Sequence, residues 1–222
     1  MGDRLRLILF DVDGTLVDSQ GLIYASMRAA FETFGLTPPE RQWVVGRIGL
    51  SLDQIVADHA PAELVPRVVE GYKAAYFEGR ERLGTVATSP LFDGIRDVLN
   101  ALRSQDWTLL GVATGKSKRG LDKLIEGHGL NGYFVTQQVA DFHPSKPHPS
   151  MVLAALTDTG VDPDDSVIIG DTAFDIEMGR AAGIRTIGVN WGYHSADRLA
   201  AAHRTVDHPA ELLEAIDQTL GA

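Results

Sequence analysis

Short apolar segments alternate with longer amphipathic ones along most of the chain, and this alternation restricts the possible folds more than any other sequence feature. Short apolar runs of this kind are typical of strands that are buried on both faces. Five of them cover residues 5–10, 107–113, 133–139, 166–170 and 184–190. Apolar residues recur at helical spacing over residues 94–104, 117–128, 148–159 and 174–182. Strands that alternate with helices predict an α/β fold, in which right-handed crossovers connect the strands of a parallel sheet.

Residues 19–88 interrupt this alternation, because they contain no convincing strand. Two stretches instead place apolar residues on one face of a helix. The first face consists of Leu22, Ile23, Met27, Ala30, Phe31 and Phe34, and the second of Leu64, Val65, Val68, Val69, Tyr72 and Tyr76. We therefore predict two domains: a Rossmann-like α/β core formed by residues 1–16 and 89–222, and an all-helical insert formed by residues 17–88.

The composition of the 222 residues argues against several classes of protein. A net charge of −10 provides no basic field for nucleic acid, and no apolar run approaches the length of a membrane span. The chain contains no cysteine, which excludes thiolate nucleophiles and cysteine-ligated zinc and is consistent with a reducing compartment. The N-terminal apolar run is too short for a signal peptide. We expect a cytoplasmic monomer or homodimer that acts on a small molecule.

Reactive side chains follow three of the predicted strands. In an open parallel sheet, ligands bind beyond the carboxyl ends of the strands. Asp11 and Asp13 follow the first strand, Thr114, Gly115 and Lys116 follow the second, Asp171 and Asp175 follow residues 166–170, and Lys146 precedes the helix before that last strand. Carboxylates, a hydroxyl group and an ammonium group at one edge of a sheet predict a site for Mg²⁺ and a phosphate.

Each of these residue types suits phosphoryl transfer. Mg²⁺ prefers hard oxygen ligands, which Asp11 and Asp171 are expected to supply. A carboxylate can attack phosphorus when a metal and an ammonium group, here Lys146, neutralise the charge of the phosphate. A second carboxyl group nearby, Asp13, can donate a proton to the leaving oxygen and later accept one from water. Backbone N–H groups at Gly115 are expected to face the phosphate oxygens.

The motifs DVDGT, VATGKS, KPHP and GDTAFD occur in the order that is found in the haloacid dehalogenase superfamily, which the chain resembles over essentially its whole length. The helical insert after the first motif resembles the small cap of that superfamily. The resemblance implies that Asp11 is the nucleophile and that Asp13 is the general acid and base, with its backbone carbonyl on the metal. It also implies that Thr114 and Lys146 hold the phosphate, and that Asp171 binds Mg²⁺ with support from Asp175, which we include among the residues of the metal site.

Within the superfamily, the segments GRIGLSL and NWGY make the chain similar to phosphoglycolate phosphatases. This similarity implies hydrolysis of a small phosphorylated metabolite through an aspartyl-phosphate. β-Phosphoglucomutases carry a histidine where Ile23 stands here. Phosphonatases carry a Schiff-base lysine early in the cap, whereas the only cap lysine here, Lys73, lies on a later helix. A phosphomutase, a phosphonate hydrolase and a non-catalytic, receiver-like phosphoacceptor remain the alternatives.

Two cations are candidate contacts to the rest of the substrate. Arg47 lies in a glycine-flanked loop of the insert, where it is either a substrate contact or a solvated charge. Lys116 follows the phosphate-binding Thr114 and either contacts substrate or begins a helix. We expect substrate binding by Arg47, Gly115 and Lys116.

Overall fold

A six-stranded parallel sheet forms the centre of the protein, as seen in a computed structural model that describes residues 4–221. The order of the strands across the sheet is β3-β2-β1-β4-β5-β6. Their bounds are β1 Arg6–Phe10, β2 Thr108–Thr114, β3 Thr136–Val139, β4 Ser166–Gly170, β5 Arg185–Val189 and β6 Arg204–Val206. The predicted parallel α/β fold is confirmed. Since the order reverses between β1 and β4, the carboxyl ends of these two neighbours form the crevice in which ligands bind.

The predicted insert, residues 17–88, contains five α-helices. They are α1 Gln20–Thr33, α2 Arg41–Val45, α3 Leu52–Ala57, α4 Val65–Leu83 and α5 Thr85–Thr88. The two predicted apolar faces lie on α1 and α4, where Met27, Phe31 and Val68 contribute to an apolar cluster of this region. We refer to residues 17–88 as the cap; residues 1–3 and 222 of the predicted core lie outside the described residues.

Helices cover both faces of the sheet. They are α6 Ile95–Arg103, α7 Lys118–Gly127, α8 Ser150–Thr159, α9 Ala173–Ala181 and α10 Leu212–Leu220. Side chains alternate between the faces of a strand. In β1, Ile8 and Phe10 therefore pack with α6, α7 and α10, while Leu7 and Leu9 pack with α8 and α9. Burial on both faces explains why this strand is apolar without interruption.

The two connections between core and cap run side by side. Val17 and Leu91 pair as an isolated antiparallel bridge. Backbone hydrogen bonds from Asp18 N to Pro90 O (2.9 Å) and from Phe92 N to Leu16 O (3.0 Å) flank the bridge. The cap is thus attached to the core through a short, paired double linker directly beyond β1.

The sequence did not predict β6 or α10, and it placed the start of the third strand at residue 133 rather than Thr136. β6 has three residues, two of them exposed, so it leaves almost no apolar pattern. No helix in the described part of the chain combines the length and the apolarity that crossing a bilayer requires.

Candidate active site

Three buried carboxylates meet at the carboxyl ends of β1 and β4. One oxygen each from Asp11, Asp171 and Asp175 lies within 4.8 Å of the others. Lys146 enters this cluster from the loop before α8, and its Nζ donates to Asp11 Oδ1 at 2.7 Å and to Asp175 Oδ1 at 2.6 Å. All four side chains are at most 1% exposed. Three carboxylates and one ammonium group have a net charge of −2 when all are ionised. A divalent cation would balance this charge.

One oxygen of Asp11 is free to bind a ligand. Oδ1 accepts the bond from Lys146, but Oδ2 is buried and has no hydrogen-bond partner among residues 4–221. Buried polar atoms are nearly always partnered, so an orphaned oxygen here indicates a position that binds a ligand. Burial raises the pKa of Asp11 to about 7, with Lys146 opposing the shift and Asp175 and Asp13 adding to it. The donor set, made of hard carboxylate oxygens, fits Mg²⁺.

Asp171 is held in place by contacts to both of its oxygens. Thr15 Oγ1 donates to Oδ1 at 3.0 Å, and the backbone N–H of Tyr193 donates to Oδ2 at 2.8 Å. Gly14, at φ +99°, makes room for this carboxylate, because a Cβ there would lie 2.2 Å from Oδ2. Burial, followed by the charges of Asp11 and Asp175, holds the pKa of Asp171 well above its usual range. Within residues 4–221, no lysine or arginine forms a salt bridge with Asp171.

Asp175 differs from Asp171 in that one of its oxygens accepts a hydrogen bond from the Lys146 ammonium group. It closes a capping box at the start of α9, in which its Oδ2 accepts from Thr172 N at 3.1 Å and from Thr172 Oγ1 at 2.6 Å. Its Oδ1 accepts from Lys146. We predicted Asp175 as a metal-binding residue, and the geometry favours the supporting form of that role, in which Asp175 holds Lys146 beside Asp11.

Asp13 lies at the entrance of the cluster and is bound through one oxygen. Lys116 Nζ pairs with Asp13 Oδ1 at 2.9 Å, and Ser19 Oγ donates to the same atom at 2.5 Å. Lys116 Nζ also donates to the hydroxyl of Tyr76 in the cap, at 3.2 Å. Burial would lower the pKa of Lys116, but Asp13 and Tyr76 outweigh it and raise the pKa above its usual value. Lys116 thus connects the cap to Asp13.

A cavity of about 560 Å³ lies between core and cap, directly above these carboxylates. Asp11, Asp13 and Thr114 line its floor, and Gly115 and Lys116 line it beside them. The cap contributes apolar and aromatic side chains as well as charged ones, among them Ile23, Met27, Ile48, Tyr72, Lys73, Phe77 and Arg80. The structure therefore brings together every predicted core residue and places a partly apolar chamber above them.

Thr114 and Gly115 lie where β2 ends. Thr114 is 1% exposed, and its Oγ1 accepts from Lys116 N at 3.2 Å. Gly115 touches the cap loop, since a Cβ there would lie 2.6 Å from Gly49 O. A side chain at position 115 would push the cap away from the loop that follows β2.

Arg47 is the one predicted site residue that the structure places neither at the cavity nor in the carboxylate cluster. Its guanidinium lies 3.9 Å from the centre of the Trp43 ring, and its Nε is 3.6 Å from Asp58 Oδ2. It does not belong to the residues that line the chamber. This arrangement matches the solvated-charge interpretation, which the sequence left open.

Sequence reasoning missed Ser19, Tyr76, Arg80 and Tyr193 as residues of the site. A signal existed for Tyr76 and Arg80, because together with Tyr72 they follow one another at intervals of four on α4. An arginine that continues an apolar helical face is a candidate for a buried functional group. For Ser19 and Tyr193 no such signal exists, since their proximity depends on how the linker packs against the loop after β5.

The motifs and the fold are matched by known proteins. Residues 8–189 match the model of the family described as haloacid dehalogenase-like hydrolase. The chain belongs to the haloacid dehalogenase-like hydrolase family. This membership confirms the predicted enzyme class, a phosphoric monoester hydrolase of phosphoglycolate phosphatase-like type.

Several members of this hydrolase family are similar over nearly their whole length. A probable phosphatase, IndB, of Dickeya dadantii is 35% identical, covering 97% of this chain and 92% of that protein. An N-acetylmuramic acid 6-phosphate phosphatase of Pseudomonas aeruginosa is 32% identical (98% and 97% covered), and a phosphoglycolate phosphatase of Aquifex aeolicus is 31% identical (96% and 97%). The solved structure of a haloacid dehalogenase-like hydrolase from Streptococcus pneumoniae superposes with a TM-score of 0.82 at 25% identity, covering 95% and 98%.

Proposed function

We propose that this phosphatase is Mg²⁺-dependent and hydrolyses a small, phosphoglycolate-like phosphomonoester through a phosphate bound covalently to Asp11. The observation that carries the proposal is the orphaned Oδ2 of Asp11, which is buried beside an ammonium group and two further carboxylates. Asp11 and Asp171 would hold the metal, together with the backbone carbonyl of Asp13. When bound, Mg²⁺ supplies positive charge that screens the carboxylates from the phosphate.

In the first half-reaction, a carboxylate oxygen of Asp11 attacks phosphorus and the bond to the ester oxygen breaks. Lys146, which donates to Oδ1, fixes the carboxylate and adds positive charge beside the phosphoryl group. Thr114 lines the same floor and is placed to hold the phosphate. Asp13, whose Oδ2 accepts no hydrogen bond within residues 4–221, transfers a proton to the departing oxygen.

In the second half-reaction, water attacks the phosphorus of the aspartyl-phosphate. Asp13, now a carboxylate, accepts a proton from this water, and the Asp11–phosphorus bond breaks to release inorganic phosphate. The contacts of Lys116 and Ser19 keep the Asp13 side chain in position for both steps. The cap covers the chamber and limits the access of other water molecules.

The structure favours this proposal over the alternatives from the same superfamily. Ile23 is 7% exposed and lines the cavity, so an apolar side chain stands where a phosphomutase would have its histidine. Lys73 Nζ donates to Glu70 Oε1 at 2.7 Å, and this hydrogen bond raises the pKa of Lys73. A raised pKa opposes the deprotonation that a Schiff-base lysine needs.

Phosphate release from a panel of phosphomonoesters tests the proposal, with p-nitrophenyl phosphate, phosphoglycolate and N-acetylmuramic acid 6-phosphate as members. We expect turnover that EDTA abolishes and Mg²⁺ restores. Asp11→Asn should lower kcat at least about 10³-fold, because it removes the nucleophile. Asp18→Asn, in the same loop, is the matched control and should retain activity. Phosphate that stays bound in a single turnover would favour the receiver-like phosphoacceptor instead.

A further inference from the structure

Arg80 is a buried cation that pairs with no acidic side chain of residues 4–221. It lies in the last turn of α4, lines the cavity and is 6% exposed. No carboxylate oxygen of residues 4–221 lies within 4.0 Å of its guanidinium. Its observed neighbour is the ring of Phe77, whose centre is 5.6 Å away. Arginines are rarely buried to this degree without an anion, because removing the charge from water costs free energy.

The two lysines that line the cavity each have an acidic partner. Lys116 pairs with Asp13 at 2.9 Å, and Lys73 pairs with Glu70 at 2.7 Å. Arg119, on α7 of the core, lies 4.5 Å from the Phe77 ring that Arg80 also contacts, but it is exposed. Arg80 is therefore the buried cation of the cavity that forms no salt bridge within residues 4–221.

The position of Arg80 relates it to the reacting phosphate. Tyr76 is one turn before Arg80 on the same face of α4, and its hydroxyl contacts Lys116 beside Asp13. Arg80 and Tyr76 line the same cavity as Asp11 and Asp13. A substrate with its phosphate at Asp11 would therefore share this cavity with the guanidinium of Arg80.

We propose that Arg80 determines substrate choice by binding a carboxylate at the end of the substrate that is remote from the phosphate. The planar guanidinium can donate two parallel hydrogen bonds to a carboxylate, which would supply the missing anion. This inference rests on the proposed function, because it assumes that the cavity holds a phosphorylated substrate. It assigns to Arg80 the role that the sequence suggested for Arg47, whose side chain is occupied by Trp43 and Asp58.

Titration calorimetry with substrate analogues that cannot be hydrolysed tests this assignment. The ligands are ω-carboxyalkylphosphonates of increasing chain length, each paired with the alkylphosphonate in which a methyl group replaces the carboxylate. In the Mg²⁺-loaded wild-type protein, we expect the carboxylate to tighten binding roughly 10- to 100-fold at one or more lengths. Equal affinities at every length would overturn the proposal.

Two variants identify the residue responsible. Arg80→Met should remove the preference for the carboxylate and leave the Kd of the alkylphosphonates unchanged within about twofold, since it deletes only the charge-assisted bonds. Arg82→Met is the matched control, because Arg82 lies on the same helix and is exposed. A preference that survives in Arg80→Met, or disappears in Arg82→Met, would contradict the assignment.

Thermal unfolding separates ligand binding from a structural role. Methionine keeps an apolar stem and removes an unpaired buried charge, so Arg80→Met should unfold at the temperature of the wild type or above it. Failure of both Arg80→Met and Arg80→Lys to fold would show that Arg80 is structural and overturn the proposal. The titrations need no turnover, so a protein that hydrolyses no phosphomonoester would refute the proposed function while this test still reports on Arg80.

Discussion

Asp11 and Asp13 are separated by a single residue, yet their surroundings assign them different work. Asp11 is enclosed and receives the Lys146 ammonium group on one oxygen, leaving the other oxygen for a ligand. Asp13 is bound by Lys116 and Ser19 at the edge of the chamber. Two carboxyl groups that differ in this way can divide nucleophilic attack and proton transfer between them.

Changing Asp13 to Asn should separate the two half-reactions. The amide retains the backbone carbonyl but cannot donate or accept the proton, so hydrolysis of an alkyl phosphate should slow by roughly 10² to 10⁴-fold. The loss should be smaller for p-nitrophenyl phosphate, whose phenolate leaves without a proton. Rapid-quench kinetics should show a burst of p-nitrophenol followed by a slow steady rate. Equal slowing of both esters without a burst would make Asp13 a structural residue.

His128 gives the protein a pH-dependent contribution to stability that is independent of the active site. Its Nε2 donates to Ser89 O at 2.8 Å, at the cap end of the second linker. Burial lowers the pKa of His128 below 6.5, with a smaller contribution in the same direction from Arg96. The unfolded chain therefore binds a proton more readily, and stability is lost as the pH falls below about 6.5.

The substitution His128→Gln should remove this contribution. Urea unfolding of the two proteins between neutral and mildly acidic pH should give a free energy of unfolding that falls less steeply for the variant. The amide can still donate to Ser89 O, so the neutral-pH stabilities should remain similar. Parallel curves for the two proteins would show that His128 titrates normally.

Hydrogen bonds attach the double linker and the start of α1 to the loop after β5. The hydroxyl of Tyr193 accepts hydrogen bonds from the backbone N–H groups of Ser19 (2.9 Å) and Gln20 (3.1 Å). The backbone N–H of Tyr193 donates to Asp171. Tyr193 thus contacts Asp171, the proposed metal ligand, through its backbone and the start of the cap through its side chain.

Tyr193→Phe should therefore weaken the attachment of the linker and α1 to this loop without changing Mg²⁺ binding. The Ser19 N–H loses its acceptor and the Gln20 N–H keeps only Asp18 Oδ1 at 3.4 Å, which should lower the free energy of unfolding by about 1–3 kcal/mol in urea titrations. Mg²⁺ affinity should stay near the wild-type value, since the N–H group that holds Asp171 is unchanged. Tyr24→Phe, on α1, is the control and should cost less. A large loss of Mg²⁺ affinity in Tyr193→Phe would indicate that the hydroxyl orders the metal loop.

Charge distribution connects the site to the stability of the whole protein. A chain with net charge −10 that buries three carboxylates around one lysine folds against electrostatic repulsion at this point. A cation that binds the folded protein and not the unfolded chain relieves that repulsion and stabilises the fold. Metal binding should therefore be visible in the thermal stability of the intact protein.

Thermal unfolding with and without Mg²⁺ measures this coupling. At a hundredfold excess over Kd, Mg²⁺ should raise Tm by roughly 5 to 10 °C for a protein of this size. Asp171→Asn should abolish most of the shift, while Asp217→Asn, which changes an acid paired with Arg6 on the far helix α10, should preserve it. Equal shifts in both variants would place the binding of Mg²⁺ elsewhere.

The elements of the core could be predicted because their signals are local. Periodicity within short windows identified β1, β2, β4 and β5 and the helices α6 to α9 near their observed bounds. β6 and α10 could not be found in this way, because β6 is a short and mostly exposed strand that is recognisable only by its pairing with β5.

Sequence by itself determined which catalytic groups meet, since parallel strands end at one edge of a sheet and carry Asp11, Thr114 and Asp171 there. Only the tertiary structure decided what each group contacts. In the folded protein, Lys116 contacts Asp13 and Tyr76. Arg47 lies outside the chamber, and Arg80 lines it. The physical reason is that these contacts depend on how the cap helices pack on the core. The spacing of residues along the chain contains no information on that packing.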